Sequence, residues 1–496
     1  MLQIKHFINN EYCDSSNKKV FNTENPATGE VLANVADAGV SEVTRAVNVA
    51  KSTFDSGIWS ELEPDDRAEI MLNTANLLKK RSKEFAEWEC KDSGKPISET
   101  TEIDIHYSIR ALEYFANIAR EIKGEVIPLK DKKNIFDYQT YEPHGVVAAI
   151  TPWNFPLHLF TRAVCPALAV GNTVVSKTSP MTPITSSMMG ELFKEAGMPA
   201  GVINIIHGGT APGELLVSHE DVRMITFTGS EGVGRSIMEA SSKSKIIKKM
   251  VLELGGKGAF IANDDCNISA AVNSVLIGFC LTQGQVCCAS TRHYLHEGIY
   301  DLFLSLLKER CESLRIGNPM DIDTQFGALM NATQLSKIEE AINRAKADGA
   351  TVITGGEKLF GDFYDKGHFF PPTILEVVDN KLDCMQSEIF GPVLTVKKIN
   401  SLDEGIKLAN ESCYGLGASI WSNDLANLFN SAKKIDAGTV WMNANLMSTM
   451  EAPFGGNKNS GIGREYGKVG LLEYMKIKNN MLCIEQDKND YYGFPN

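Results

Sequence analysis

The sequence predicts an α/β protein made of two strand–helix units, plus one strand that belongs to neither. Three observations carry that expectation. A chain of 496 residues is too long for one simple core. From residue 144 onward, short apolar segments ending in turns alternate with helical stretches, the pattern of a parallel sheet with helices on both faces. A second series of the same kind begins near residue 257.

In chain order, residues 41–120 read as helices. SEVTRAVNVAKSTF opens on a Ser cap and spaces Val43, Ala46, Val47 and Ala50 along one face. The following stretch continues with Ile70, Leu72, Leu77, Leu78 and Phe85. NIFDYQTYEP (134–143) alternates apolar and polar residues as a strand does, and stands apart from both units. The first α/β series contains GVVAAITPWNFP, GNTVVSKTSP, GVINIIHGG and VRMITFTGS, with helical stretches such as ITSSMMGELFKEAG between them. The second runs through KGAFIAND, ATVITGG, HFFPPTILEVV, GPVLTVKKI and GTVWMNANL.

Composition narrows the function classes. Hydrophobic content of 43% and charge of 22% are those of a soluble globular protein. A net charge of -13 argues against nucleic acid or an anionic membrane as partner. The N-terminus lacks a basic stretch before an apolar run, so no signal peptide is expected. The most apolar region, 163–175, is broken by Pro166, Gly171 and Asn172, which leaves no membrane span. Eleven thinly spread cysteines, an odd number, fit reduced thiols and a cytoplasmic location. With no CxxC pair and no HExxH, no metal is expected.

Two stretches carry candidate chemistry. FTGSEGVGRSIMEA (227–240) reads as a strand, a turn with glycines 229, 232 and 234, and a helix, whose free N–H groups can take a pyrophosphate. It is not a GxGxxG, and a turn that merely packs fits it equally well. Lys177 ends a strand in SKTSP, where it could reach a ribose or simply be solvated. TQGQVCCASTR (282–292) sets Cys287 beside Cys288, downstream of Glu253 in VLELGGKGAF. Taken alone, the pair is either an activated sulfur with its base or two buried thiols.

TPWNFP (151–156), FTGS (227–230), LELGGK (252–257), GQVCCASTR (284–292), EIFGPV (388–393) and PFGGNKNSGIGRE (453–465) occur in that order. Together they resemble the aldehyde dehydrogenase superfamily over essentially the whole chain. The resemblance implies a Rossmann-like cofactor domain (1–122 and 144–254), a second α/β catalytic domain (255–470), and a small β oligomerisation arm (123–143 and 471–496). A homodimer or homotetramer follows from the arm. The implied reaction oxidises a small aldehyde to the acid with NAD or NADP. In it Cys287 forms a thiohemiacetal and then a thioester. Cys288 is expected to be a small buried thiol pointing elsewhere. Asn154, with the backbone N–H of Cys287, is the implied oxyanion donor. Glu253 is the implied base that activates the hydrolytic water, its pKa raised by partial desolvation. Its presence favours hydrolysis over acyl transfer to coenzyme A. Glu465 resembles a proton-relay residue of some members.

For the cofactor the resemblance implies Ile150, Thr151, Pro152, Trp153, Lys177, Ser179, Pro180, Gly209, Gly213, Phe227, Thr228, Gly229, Ser230, Val233 and Leu254. Glu388 and Phe390 are implied for the nicotinamide ribose and ring. The implied substrate pocket holds Phe155, Arg162, Leu281, Glu451 and Phe454.

The chain departs from the family pattern in three places. Pro180 stands where a ribose-binding glutamate is usual, which removes the charge that would repel a 2′-phosphate and opens NADP or dual use. Arg162 falls at the expected tunnel mouth, where several members carry an aromatic residue. It either contacts the carboxylate of a polar or anionic aldehyde or pairs with an acid such as Glu451. A similar arginine in succinate-semialdehyde dehydrogenases has the first role, but the second arginine of that pattern is Leu281 here. Ala163 replaces a lysine that often follows. Two other classes compete: a catalytically silent binding or structural homologue, and a cysteine hydrolase. The hydrolase needs a histidine base, and His293, in a probable strand, is no candidate.

Overall fold

The computed structural model describes residues 1–130 and 132–484; the expected arm residues 485–496 lie outside the described residues. The first unit is an eight-stranded sheet. Its parallel strands lie in the order Lys249–Glu253, Val222–Thr228, Val146–Ile150, Thr173–Lys177, Ile203–Ile206. Strands His6–Ile8 and Glu11–Cys13 extend one edge, and Gly461–Ile462 the other.

The chain moves outward from Val146–Ile150 to Ile203–Ile206, then crosses back to Val222–Thr228. The carboxyl ends of the two central strands therefore open a crevice at a topological switch point. Both faces of this sheet are covered, so the strands are apolar throughout. Val147, Ala149, Val174 and Ile205 pack into one core, while Val146, Ala148, Val175 and Ile206 pack into the other, following the two-residue period of a strand.

The second unit is a seven-stranded sheet in the order Thr351–Thr354, Thr373–Glu376, Val393–Ile399, Ser290–His296, Gly258–Ala262, Gly417–Trp421, Thr439–Met442. It is parallel except for the edge strand Thr351–Thr354. Ile135–Pro143 pairs antiparallel along its full length with Met475–Cys483 in a separate three-stranded sheet. The alternation over 134–143 thus marks a strand outside both units.

The boundaries differ from those expected in three ways. Met450, Tyr466, Leu471 and Tyr474 bury their side chains in the first core, and Ile462 pairs with Leu252. The segment from Met450 to Tyr474 therefore touches both units: these residues join the first core, while Asn457–Lys458 pair with Tyr414–Gly415 of the catalytic one. Residues 471–473 end the helix Gly467–Glu473, so the arm strand starts at Met475. Third, the N-terminal strands Leu2–Ile4, Val20–Glu24 and Val31–Ala36 form a small sheet of their own, which carries no clear alternation in sequence. Among the described residues, no helix is long and apolar enough to cross a membrane.

Candidate active site

The nucleophile loop follows the helix Ile268–Cys280, which stops at a sharp reversal. Thr282, Gln283 and Gly284 all take positive φ, at 52°, 54° and 73°. Left-handed backbone at two non-glycine residues costs about 1–3 kcal/mol each and persists only where neighbours enforce it. Those neighbours are present. Thr282 N donates to Glu99 Oε2 at 2.9 Å, Gln285 Nε2 to the Thr282 carbonyl at 3.1 Å, and Met330 N to Gln285 Oε1 at 3.0 Å. At Gly284 a Cβ would lie 2.3 Å from the Gly391 carbonyl oxygen, so no other residue fits there.

This loop delivers Cys287, partly exposed, ahead of the strand Ser290–His296. Its thiol is pulled down to about 7 by the hydrogen bond from the Cys288 thiol, against desolvation, with Arg162 and local peptide N–H groups helping. The Cys288 thiol is pushed well up by that same bond, so Cys287 carries the negative charge of the pair. Cys288 is partly exposed rather than buried, and packs against the cluster of Phe155, Leu159, Val286 and Ala289.

Asn154 is buried in the turn before the helix Pro156–Ala169. Its Nδ2 donates to the Gln285 carbonyl at 2.8 Å, which fixes the amide against the nucleophile loop. A primary amide has two N–H groups, so the second is available for an oxyanion. The Asn154 carbonyl accepts from Lys95 Nζ at 3.0 Å. Lys95 is fully buried, pairs with Asp104 at 2.5 Å, and lies 4.4 Å from the centre of the Phe155 ring. Glu89 accepts from Leu157 N at 2.9 Å and completes this clamp.

On the opposite side, Glu253 ends its strand 1% exposed, and among the described residues neither carboxylate oxygen has a hydrogen-bond partner. Burial pushes its pKa well up, Arg162 opposes that, and Glu465 and Cys287 add to it. The absence of a side chain at Gly455 makes room: a Cβ there would come within 2.8 Å of Glu253 Oε1. Glu465, also buried, accepts from Thr226 Oγ1 at 3.1 Å and from the Tyr474 hydroxyl at 3.4 Å. Burial lifts it to about 7.

The crevice at the switch point suits a dinucleotide. Ser230 caps the helix Glu231–Ser242, its hydroxyl accepting from Val233 N. Gly229 and Gly234 are required by close approach, since a Cβ would fall 2.5 Å from the Phe227 ring or 2.6 Å from the Leu254 side chain. At Gly209, Gly213 and Gly232 a Cβ meets nothing within 4 Å, so the starts of this helix and of Thr210–Ser218 face open space. Two helix N-termini there can take phosphates. Thr151 N donates to the Lys177 carbonyl, which sets Ile150, Thr151 and Pro152 at the strand end beside it. The buried Lys177 ammonium is lowered to about 8 by desolvation, with Asp37 opposing. Ser179 Oγ accepts from Met181 N, and Pro180 borders a cavity with Asn25, Pro26 and Met330. Trp153 and Phe390 meet edge to face at 5.3 Å. Glu388 Oε1 accepts from Gly256 N at 2.8 Å and burial lifts it to about 8.

The substrate side is corrected at two positions. Arg162 is not at a tunnel mouth: it is 4% exposed, donates to Thr228 Oγ1 at 2.7 Å, and lies over the Phe454 and Tyr466 rings. Glu451 is exposed and pairs with Arg110 at 2.9 Å, so the expected Arg162–Glu451 pair does not form; Glu451 follows a surface loop whose nearest cation is Arg110. Phe155 and Leu281 do come together, in a cluster with Leu159, Val286, Ala289, Ile103, Leu446 and Cys288. Sequence reasoning missed Leu159, Val286, Ile103 and Leu446, although Leu159 lies four residues after Phe155 on one helix face. It also missed Lys95, Glu99 and Tyr466. Tyr466 follows Glu465 directly, but nothing in the sequence marks Lys95 as buried or Glu99 as partly enclosed.

The sequence model of the aldehyde dehydrogenase family matches residues 12–480. The chain is 39% identical to the mitochondrial benzaldehyde dehydrogenase of Antirrhinum majus over 96% of this chain and 88% of that one. It is 39% identical to an aldehyde dehydrogenase of Enchytraeus buchholzi over 96% and 94% of the two chains. Among solved structures, the NAD+ complex of the aldehyde dehydrogenase from Bacillus cereus superposes with a TM-score of 0.94 at 37% identity, covering 97% of each chain. The chain therefore belongs to the aldehyde dehydrogenase family and is an NAD(P)-dependent enzyme of aldehyde oxidation.

Proposed function

We propose that the chain converts an aldehyde to its carboxylic acid on the sulfur of Cys287, with Asn154 as oxyanion donor and Glu253 as hydrolytic base. The observation that carries this reading is Glu253 itself. A buried carboxylate with both oxygens unpartnered among the described residues is costly and needs a purpose, and this one is coupled electrostatically to the Cys287 thiol.

The Cys287 thiolate adds to the carbonyl carbon, and the oxygen that becomes an alkoxide accepts from Asn154 Nδ2 and the Cys287 peptide N–H. When bound, the nicotinamide cofactor supplies the acceptor for the hydride that leaves this carbon. Glu253 then takes a proton from water, the resulting hydroxide attacks the thioester carbonyl, and the C–S bond breaks. The acid is released and the Cys287 thiolate is restored. Glu253 does this best when dry enough to be basic yet still ionised, which the opposed effects of burial and Arg162 provide. Replacing Glu253 with Gln tests the division of labour. The expected outcome is one equivalent of reduced cofactor followed by arrest; full steady turnover refutes the hydrolytic role.

The relatives support NAD as cofactor, the Bacillus cereus structure being an NAD+ complex. With Pro180 where a ribose-binding acid is usual, the chain also accepts NADP, and a thousandfold preference for NAD sinks that finer reading. The wall of Phe155, Leu159, Val286 and Leu281 favours an apolar or aromatic aldehyde. A homodimer or homotetramer joined through Met475–Cys483, whose Ile477 and Met481 are exposed, and a cytoplasmic setting complete the proposal.

A further inference from the structure

We infer that residues 94–104 set the register between the two halves of the oxyanion hole, with Lys95 as the positioning residue of Asn154 and Glu99 as that of the nucleophile loop. The inference rests on the reading of Asn154 and Cys287 given above.

The two oxyanion donors come from different units, Asn154 from the first and the Cys287 peptide N–H from the second. The stretch 94–104 is bonded to both. It leaves the helix Ser82–Ser93, whose Phe85 and Ala86 lie in the first core, through Gly94 at φ 75°. Toward the second unit, the Gly94 carbonyl accepts from Ala328 N at 2.9 Å, and Ile97 N donates to the Pro319 carbonyl at 2.8 Å. Phe326 and Leu329, on either side of Ala328, are buried in the cores of that unit. Glu99 Oε2 then accepts from Thr282 N at 2.9 Å, at the start of the reversal that delivers Cys287. Toward the first unit, Lys95 Nζ donates to the Asn154 carbonyl and Thr100 Oγ1 to the Ala86 carbonyl, both at 3.0 Å. Lys95 and Glu99 thus reach the two donor loops from one short, continuous stretch of chain.

The Asn154 turn is held from outside. Phe155, at the N-cap of the helix Pro156–Ala169, has φ −137° and ψ 73°, and its side chain caps nothing. The orphan N–H of Leu157 goes to Glu89 instead, and the Asn154 carbonyl goes to Lys95. On the side-chain amide, one N–H is tied to the Gln285 carbonyl. Rotation of the turn about that single tether would redirect the second N–H. Lys95 supplies another point of attachment at the carbonyl, and a further one over the Phe155 ring, 4.4 Å from its centre.

Lys95 is itself fixed by a fully enclosed pair with Asp104 at 2.5 Å. Asp104 lies in the π-helical turn Thr100–Ile105, where Asp104 and Ile105 turn inward while Thr101 and Glu102 stay exposed. A buried ion pair contributes little stability that apolar residues of the same volume would not, so its use here is directional.

The test compares two reactions of Cys287 in the full-length enzyme: the burst of cofactor reduction, which passes through an oxyanion, and alkylation by iodoacetamide, which forms none. Lys95→Met is expected to slow the burst about 10–100-fold, the scale of a small misplacement, and to leave the alkylation rate unchanged. In an Asn154→Ala background the same substitution should cost less than about threefold more, because the group it positions is already gone. Glu99→Ala should slow the burst, and Glu99→Gln, which keeps an acceptor for Thr282 N, should restore it. A burst unmoved by Lys95→Met, burst and alkylation lost together, or losses that add in full to those of Asn154→Ala overturn the proposal. If Lys95→Met fails to fold with Asp104 left unpaired, Lys95→Met/Asp104→Asn removes both charges and is read in the same way. Failure of the underlying reading looks different: Asn154→Ala alone would then leave the burst intact.

Discussion

The two sides of the catalytic cleft are built on opposite principles. The nucleophile side is tied down. Thr282, Gln285 and Asn154 are bonded to Glu99, Met330 and each other, and strained backbone is held in place by that net. The acid side is left open. Among the described residues Glu253 has no hydrogen-bond partner, and Arg162 has only a neutral hydroxyl. A sulfur that must meet a carbonyl at a fixed angle needs position, which hydrogen bonds supply. A carboxylate that must gain and lose a proton needs a tunable pKa, and hydrogen bonds to its charged form would pin it low.

That contrast can be broken in order of severity. Cys287→Ala should remove turnover by about 10⁴-fold or more while leaving the fold intact, measured by steady-state rate and thermal melting. Glu253→Gln should slow deacylation by about 10²–10⁴-fold and leave the first hydride transfer nearly untouched, as read by burst kinetics. Asn154→Ala should cost about 10²–10³-fold in kcat, because an oxyanion donor and the tether to the Gln285 carbonyl are lost together. Here, unlike at Glu253, the burst itself should slow.

Glu99→Gln is expected to have the smallest effect, and its sign depends on pH. Burial raises the Glu99 carboxyl to about 7, so the folded state binds its proton more tightly than the unfolded chain does. The stability this contributes is present in full below the unfolded value near 4, and is lost as pH rises through about 7. The Gln variant removes that loss and still offers an acceptor to Thr282 N. Its stability relative to wild type should therefore rise by about 2–3 kcal/mol between pH 5 and pH 8 in denaturant melts. A constant difference across that range would show that Glu99 is ionised in the fold.

The sequence made the tied side legible and the open side only in part. Asn154, Cys287 and Glu253 sit in compact motifs, because each needs a particular turn beside it, such as the one only glycine permits at position 284. The apolar strand series predicted both sheets, since buried parallel strands cannot hide their composition. Arg162 was legible as an unusual residue but not as a buried one. Its environment comes from Thr228, Phe454 and Tyr466, which are distant in the chain. Lys95 and Glu99 were illegible for the same reason. A charged residue looks solvent-facing until the fold encloses it, and only tertiary contacts pair it with Asp104 or Thr282. The return of Met450, Tyr466 and Leu471 to the first core was illegible because such a segment carries no signal of which core it joins.

The most direct measurement traps the covalent intermediate. The Glu253→Gln enzyme, mixed with an aldehyde and oxidised cofactor, is digested and its peptides weighed. The account predicts an acyl mass on the peptide containing residues 287 and 288, placed by fragmentation on Cys287 and equal in amount to the reduced cofactor formed. An acyl group on Cys288, or continued acid production with no acylated peptide, would contradict it.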